Sequence, residues 1–347
     1  MKYLRWLLFP FSLVYALVVA IRNWCYDTGI FKSIEFKLPV IAIGNLDVGG
    51  AGKSPMTEYL IRLFKDSNNL AVLSRGYGRK TKGFVIAGTS SGVTEIGDEP
   101  AQFKSKFPNI TVAVCENRVI GITLLKDNNS IILLDDAYQH RAVKPGYSIL
   151  LLEYNKINEP RLLLPAGNMR EAFSGLKRAD TIIISKCPAE LDDAEIARIK
   201  KRINPYPHQQ IFYTAIEYLP LKKLNDANGQ YAINENTTVF LLTGIANPVP
   251  LVTHLKTKTQ HIIHHKYPDH HQFSLKNISK LAHGFLACAS QNKLIITTEK
   301  DAQRLGEQEL LPQVNKLPFL VLPIGICFLN NGQHQFDELI NNYVKQY

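Results

Sequence analysis

From residue 38 onward, short apolar runs alternate with amphipathic stretches. The runs at residues 39–43, 70–73, 111–114, 131–134, 148–152 and 181–184 are almost wholly apolar and read as buried strands. Between them, residues 55–65, 99–107, 117–126 and 192–203 carry helical spacing. That alternation predicts a wound α/β sheet. A less regular stretch follows at residues 219–235, rich in Lys, Asn and Asp, with a turn at Asn228-Gly229. A second alternation then begins, with strands at 239–242, 262–266, 293–297 and 318–322 and helices near 248–256, 275–289 and 299–305. The pattern divides the chain into an apolar amino-terminal helix (1–30), a larger α/β lobe (31–215) and a smaller α/β lobe (216–347). No internal repeat or low-complexity tract interrupts it.

The amino terminus departs from this alternation. Residues 6–21 carry no charge, Lys2 and Arg5 precede them, and Arg22 follows. At 1.5 Å per residue such a helix falls short of a hydrocarbon core of about 30 Å. Trp6, Tyr15 and Trp24 stand where interfacial anchors stand, and no acid precedes Asp27, so the segment reads as lying in, or inserting shallowly into, an anionic membrane face. Two other readings compete: a secretory signal peptide with a weak cleavage site at Val18 and Ala20, and a plain buried helix.

Composition narrows the classes. Of 347 residues, 46% are apolar and 20% charged, enough to bury a large core and to exclude disorder or a polytopic membrane protein. Forty basic against thirty acidic residues give a net charge of +10, which favours an anionic partner: nucleic acid, phosphorylated small molecules or a membrane. No recognition helix or aromatic-basic module supports nucleic acid. The five cysteines are scattered, with no Cys-x-x-Cys spacing, and read as reduced thiols in a cytosolic compartment.

The strongest chemical signal is Gly44-Asn-Leu-Asp-Val-Gly-Gly-Ala-Gly-Lys-Ser54, between a strand and a helix that opens at Pro55. A Gly-rich turn lets backbone N–H groups surround phosphate oxygens, with Lys53 reaching the terminal phosphates and Ser54 holding Mg²⁺. The nucleotide-contacting stretch is Asp47, Val48, Gly49, Gly50, Ala51, Gly52, Lys53 and Ser54. Asp47 occupies a place where Gly or Ala is usual, and an inward carboxylate there would repel phosphate. The bland alternative is an ordinary Gly-rich turn.

Such a loop needs a metal-organising acid at the end of a neighbouring strand, and Asp135 and Asp136 supply it; simple capping of a turn is the alternative. Arg75-Gly-Tyr-Gly-Arg79 combines flexible backbone with two guanidinium groups and the aromatic face of Tyr77. Asp98 sits at a helix start, as an N-cap or as a base or orienter for an attacking hydroxyl. Arg170 and Glu171 read either as a phosphate clamp with a metal or water contact, or as a surface ion pair. Six of ten histidines fall between His254 and His271. Their spacing specifies no zinc site, but a His beside an Asp, as at Asp269-His270, suits orientation or proton relay.

Taken in order, the Gly44–Pro55 turn, Ser74-Arg-Gly-Tyr-Gly-Arg79, Gly97-Asp-Glu-Pro100, Asp135-Asp-Ala-Tyr-Gln-His140, Leu164-Pro-Ala-Gly-Asn-Met-Arg-Glu171, Arg178-Ala-Asp180, Tyr267-Pro-Asp-His270 and Thr297-Thr-Glu-Lys-Asp301 resemble the motifs of the tetraacyldisaccharide 4'-kinase family, the membrane-associated lipid A kinases of Gram-negative bacteria. Each motif is common by itself; the ordered set is specific, and it runs from the amino-terminal segment to about residue 305. The resemblance implies a P-loop NTPase-type sheet and transfer of the ATP γ-phosphoryl group, with Mg²⁺, to the 4'-hydroxyl of a lipid A disaccharide precursor. It places a monomeric enzyme on the cytoplasmic face of the inner membrane. By position, Lys53 and Ser54 are the phosphate and Mg²⁺ contacts and Asp135 with Asp136 the acidic pair near the metal. Asp98 with His270 is the dyad that activates the sugar hydroxyl, and Asp98 the base that aids proton removal. Arg118, Arg170, Glu171 and His140 are further active-site groups, and Tyr77 contacts the nucleotide or lipid cleft.

Asp47, Ala51, Ser54 and Ala137-Tyr138 depart from the expected pattern, and only Asp47 changes the chemistry. Another P-loop ATPase or ligase would carry Lys where this chain has Val48. A membrane-tethered nucleotide sensor would not need Asp98 beside an intact Lys53 and Asp135.

Overall fold

The computed structural model describes residues 3–224 and 231–347, without the side chains of Tyr3, Leu4 and Trp6. Lys2, the Trp6 side chain and the Asn228-Gly229 turn therefore lie outside the described residues. The strands are β1 (Val40–Asn45), β2 (Leu70–Ser74), β3 (Val85–Ile86), β4 (Thr111–Val114), β5 (Ile131–Asp135), β6 (Tyr147–Glu153), β7 (Thr181–Ser185), β8 (Gln210–Tyr218), β9 (Lys222–Lys223), β10 (Thr238–Thr243), β11 (Ile262–Lys266), β12 (Lys293–Thr298), β13 (Phe319–Leu322) and β14 (Ile324–Phe328). They form a nine-stranded sheet in the order β14-β8-β7-β6-β1-β5-β2-β4-β3 and a five-stranded sheet in the order β11-β10-β12-β13-β9. The larger sheet is parallel except at its edges, where β3 and β14 run antiparallel.

Strands β1 and β5 are buried on both faces, as a parallel sheet covered by helices on both sides requires. Ile41, Ile43, Ile131 and Leu133 enter one core, while Val40, Ala42, Ile132 and Leu134 enter the other. β1 lies between β6 and β5, and Ile43 is in register with Asp135. That pairing brings the phosphate-binding turn and the acidic pair to the same edge of the sheet, outside the carboxyl ends of the strands, where ligands of wound α/β folds bind.

All ten runs expected from the apolar pattern are strands. The pattern leaves β8, β14 and the closing helix Gly332–Val344 unassigned. Strand β8 passes through residue 215, and β14 pairs antiparallel with it, so the chain returns from the smaller sheet to the larger one. Phe336, Ile340 and Tyr343 of the closing helix are buried there.

At the amino terminus a 3₁₀ turn (Tyr3–Leu8) leads into the helix Phe9–Asp27, which at 19 residues and 1.5 Å each is about 28 Å long. It runs past the uncharged stretch and so exceeds the length read from the sequence. Its polarity is inverted relative to a helix on a soluble protein. Ser12, Tyr15 and Asn23 face the protein, whereas Phe11, Val14, Leu17, Val18, Ile21 and Trp24 face outward. The helix is long and apolar enough to cross a membrane by length and composition alone.

Candidate active site

The turn after β1 closes because of two glycines. A Cβ on Gly44 would stand 2.6 Å from Cβ of Tyr138, so only glycine lets the segment after β5 pack on the end of β1. Gly52 caps the helix Lys53–Phe64 with φ +86°, a left-handed conformation that favours glycine. Ser185 Oγ donates to Ala51 O (2.8 Å), and the backbone N–H of Val48 donates to Asn168 O (2.8 Å), which ties the turn to β7 and to the 161–171 loop. Lys53 Nζ donates to Asn45 Oδ1 (3.2 Å) and lies 3.6 Å from Asp136 Oδ1. Burial pulls the lysine's pKa down, against the pull of Asp136. Asp47 lines a small open pocket with Glu153, Lys156, Glu159 and Arg161, and burial raises its pKa. The main charges acting on it are those of Lys156, Glu159, Glu153 and Arg170 rather than Lys53.

Asp135 and Asp136 have different surroundings. Asp135 is buried, and among the described residues its carboxylate accepts hydrogen bonds from hydroxyls only, Thr57 Oγ1 (3.4 Å) and Ser74 Oγ (3.2 Å). Burial first, then the charges of Asp136 and Glu99, push its pKa up to about 6. Among the described residues no ion pair compensates it. Asp136, with φ +47°, accepts from Arg170 Nη1 at 2.9 and 3.1 Å. Burial would raise its pKa, but Lys53 and Arg170 hold it below the usual range. Ser54 is buried as a residue, and its hydroxyl makes no hydrogen bond to protein among the described residues. A hydroxyl at the start of the helix that follows β1 and a carboxylate at the end of the neighbouring strand β5 are the hard oxygen donors that suit Mg²⁺. No group of three or more His, Cys, Asp or Glu that could hold a metal exists among the described residues. Mg²⁺ at kinase sites is commonly held by one or two carboxylates together with substrate phosphates, so the residues present fit it.

Arg118 opens the helix Arg118–Leu125 and is buried, donating to Cys115 O (2.8 Å) and Asp135 O (3.4 Å). Burial lowers its pKa to about 10, and its Nε is buried without a partner. The backbone N–H of Arg118 donates to His140 Nε2 (3.3 Å). Burial and the charges of Arg118 and Arg75 depress His140 to about 4, so its ring is neutral at physiological pH. Glu171 is fully buried, with its oxygens taken by Arg178 Nη2 (2.8 Å to each), Gln139 Nε2 (3.0 Å) and Asn23 Nδ2 (3.3 Å). A carboxylate so occupied holds the loop and the amino-terminal helix together.

The second cluster bridges the two sheets. Asp98 begins the helix Asp98–Lys106, beside the larger sheet. His270 follows β11 of the smaller sheet, in a left-handed conformation at φ +56°. His270 Nδ1 lies 2.8 Å from Asp98 Oδ2, and the Tyr77 ring meets the His270 ring edge-on at 5.6 Å. Burial would raise the Asp98 pKa, but hydrogen bonds from His270 and Arg304 hold it at about 2. The same bond to Asp98 raises the pKa of His270. Lys300 donates to Glu99 Oε1 (2.6 Å), and its charge acts on both Asp98 and Asp135, so it stands between the two clusters.

The structure thus gathers Lys53, Asp136 and Arg170 at one point, Asp98, His270 and Tyr77 at another, and Arg118 with His140 behind Asp135. Sequence reading missed Asn45, Gln139, Arg178, Lys300 and Arg304. Asn45, Gln139, Arg178 and Lys300 all lie inside motifs quoted above, which was the available signal; Arg304 lies outside them and meets Asp98 across 206 residues.

A family model described as tetraacyldisaccharide-1-P 4'-kinase matches residues 4–345. Proteins named tetraacyldisaccharide 4'-kinase from Bacteroides thetaiotaomicron and Flavobacterium psychrophilum are 43% and 44% identical to this chain. The alignments cover 99% of this chain in each case and 93% and 98% of those proteins. A crystal structure of the apo form of LpxK from Aquifex aeolicus in complex with ATP superposes with a TM-score of 0.75 at 26% identity, covering 98% of this chain and 99% of that one. With the phosphate-binding turn, the acidic pair and the cross-sheet dyad in place along this full-length match, the chain belongs to the tetraacyldisaccharide-1-P 4'-kinase family.

Proposed function

We propose that this chain transfers the γ-phosphoryl group of ATP to the 4'-hydroxyl of a tetraacylated glucosamine disaccharide 1-phosphate. The observation that carries the reading is the placement of Lys53, Asp136 and Arg170 around the turn Gly44–Ser54, within a fold shared with an ATP-complexed relative. The backbone N–H groups of the turn cradle the nucleotide phosphates, and Lys53 and Arg170 neutralise charge as the phosphoryl group moves. Ser54, Asp135 and Asp136 would hold Mg²⁺, which would supply charge neutralisation on the nucleotide phosphates. Asp98 and His270 activate the acceptor hydroxyl. Arg118 and His140 act through Asp135, and Tyr77 walls the cleft beside the dyad.

The outward apolar face of Phe9–Asp27 supports attachment to the cytoplasmic face of the inner membrane, where the acceptor's acyl chains stay in the bilayer while its sugars reach the cleft. The surplus of basic residues suits that anionic surface. We take the protein to act as a monomer. Sheet membership supports a division in which the larger unit comprises β1–β8 together with β14 and the closing helix, and the smaller unit β9–β13.

The test is detergent-solubilised full-length protein with Mg²⁺ and γ-labelled ATP, offered the tetraacyl disaccharide 1-phosphate. Label passes into the lipid with wild type and not with Lys53→Ala. ATP turnover that leaves the lipid unlabelled would refute the reading.

A further inference from the structure

Three arginines converge on the ring of His140. Arg22 comes from the amino-terminal helix Phe9–Asp27, Arg75 follows β2, and Arg118 opens the helix Arg118–Leu125. The charges of all three act on the imidazole. Among the described residues, none of the three is in an ion pair. A short chain of contacts holds them together. Asn23, next to Arg22, donates to Glu171 (3.3 Å), Glu171 accepts from Gln139 (3.0 Å), and His140 beside Gln139 accepts the Arg118 N–H (3.3 Å).

The neighbouring arginines are arranged differently. Arg79, Arg141, Arg170 and Arg178 are paired with Glu116, Asp27, Asp136 and Glu171 at 2.6 to 2.9 Å. Arg22 donates through Nη2 only to the neutral Asn23 Oδ1 (3.2 Å), and its Nε is buried without a partner. Arg118 gives Nη1 and Nη2 to backbone carbonyls, and its Nε is likewise buried without a partner. Arg75 is exposed and makes no hydrogen bond among the described residues. His140 adds a further donor. Its Nε2 accepts the Arg118 N–H, so the neutral ring carries its proton on Nδ1, which meets no protein acceptor among the described residues. Cations shielded from water without a counter-charge are costly, and a phosphate offsets that cost by accepting bidentate hydrogen bonds from them.

The cluster reaches from the Asp98–His270 dyad to the amino-terminal helix. Arg75 and Tyr77 share one turn, closed by Gly76 at φ +71°, where a Cβ would stand 2.8 Å from Ile96 O. Tyr77 meets the ring of His270, so the turn joins the reacting end of the cleft to Arg75. Arg22 stands on the other side, flanked in its helix by the outward-facing Ile21 and by Trp24 two residues on. On the kinase reading above, the acceptor carries its reacting hydroxyl on one sugar and its phosphate on the other, so the phosphate is recognised away from the reacting centre. We propose that Arg22 and Arg75, with the Nδ1–H of His140 and the charge of Arg118 behind them, form the subsite for that phosphate monoester while the 4'-hydroxyl lies at Asp98 and His270. The subsite orients the acceptor by its far end and discriminates against a disaccharide that lacks the phosphate.

The test compares wild type, Arg75→Gln and Arg22→Gln, full length in neutral detergent micelles, on the tetraacyl disaccharide 1-phosphate and on the same disaccharide without its phosphate. The readout is the ratio of kcat/KM for the two acceptors. Each variant should lower that ratio about 10- to 100-fold, the range of a lost charge-assisted contact, with KM for ATP within about twofold and Arg75→Lys keeping part of the preference. An equal loss on both acceptors, or none, overturns the proposal. Arg75 is exposed and unpaired, so its removal strands no partner; should Arg22→Gln fail to fold, Arg75→Gln decides. If wild type leaves the unphosphorylated acceptor unlabelled, competition decides: glucosamine 1-phosphate should compete with the acceptor in wild type at about 10-fold lower concentration than in Arg75→Gln. Equal sensitivity, or equally strong inhibition of wild type by phosphatidylglycerol, a phosphodiester, would mean a general attraction to anionic headgroups and overturns it. Wild type that labels neither acceptor refutes the kinase reading itself; labelling with an unmoved ratio and equal sensitivity refutes only this inference.

Discussion

Lys53 and Asp136 face each other across the phosphate-binding turn, with Nζ 3.6 Å from Oδ1. The contact is longer than a hydrogen bond, Asp136 is already held by Arg170 at 2.9 Å, and the ammonium's hydrogen bond goes to the neutral Asn45 (3.2 Å), so no close ion pair has to break for it to turn toward an incoming phosphate. Lys53→Ala leaves Asp136 paired with Arg170 and removes the charge that the moving phosphoryl group requires. Phosphoryl transfer should fall by at least about 10³-fold while the melting temperature moves by only a few degrees. Turnover within tenfold of wild type would remove Lys53 from the phosphate contact.

His140 gives a stability signature. Its ring is partly buried behind Asp135 and its folded-state pKa is depressed to about 4, by burial first and then by Arg118 and Arg75. A depressed histidine stabilises the fold in its neutral form: the contribution is present above the unfolded value near 6.5 and is lost as pH falls toward 4. Discounted for the ring's partial exposure, the loss is at most about 2–3 kcal/mol. His140→Gln keeps an acceptor for the Arg118 N–H without the titration. Urea unfolding between pH 4.5 and 7.5 should show wild type losing more stability on acidification than the variant; parallel curves would exclude His140 as the source.

Much of the first cluster was legible because it is contiguous. The turn 44–54 and Asp135-Asp136 end adjacent buried strands, so local pattern alone placed them together. Arg304 was not legible, because its partners Asp98 and Gly244 lie 206 and 60 residues away and meet it only when helices from the two lobes pack. Glu171 was legible as a motif residue, but its surroundings were not. It stands in a motif, yet the fold buries it against Arg178, Gln139 and Asn23. Strands β8 and β14 were missed because β14 gains its place only by returning from the other sheet to pair with β8.

Lys106 lies 2.5 Å from both Glu58 Oε2 and Glu299 Oε1, joining the helix Lys53–Phe64 to the smaller lobe. Glu58 is buried, and burial followed by the Glu299 charge raises its pKa despite Lys106. Lys106→Met removes the cation between two acids and should destabilise the protein by about 3 kcal/mol. Adding Glu58→Gln removes a buried charge that Arg62 (3.2 Å) offsets only from the exposed side and should recover about half of that. A double variant no more stable than Lys106→Met by urea titration would show that charge is not the cause.

The amino-terminal helix turns Leu17 outward at 60% exposure, while Ser12 on its opposite side accepts the Ala166 N–H (2.8 Å) and donates to Leu163 O (3.2 Å). The polar side thus fixes the helix to the loop that carries Arg170, and the apolar side is left for lipid. Leu17→Asp touches no intramolecular contact of the polar side, so thermal unfolding in detergent should be unchanged. At membrane depth an aspartate costs about 3 kcal/mol, which corresponds to roughly 10²-fold weaker partitioning. Co-sedimentation with anionic phospholipid vesicles should show that loss, and transfer to vesicle-borne acceptor should fall with it while nucleotide affinity holds. Undiminished vesicle binding would mean that this face does not meet the bilayer, and the basic surface would then have to carry attachment alone.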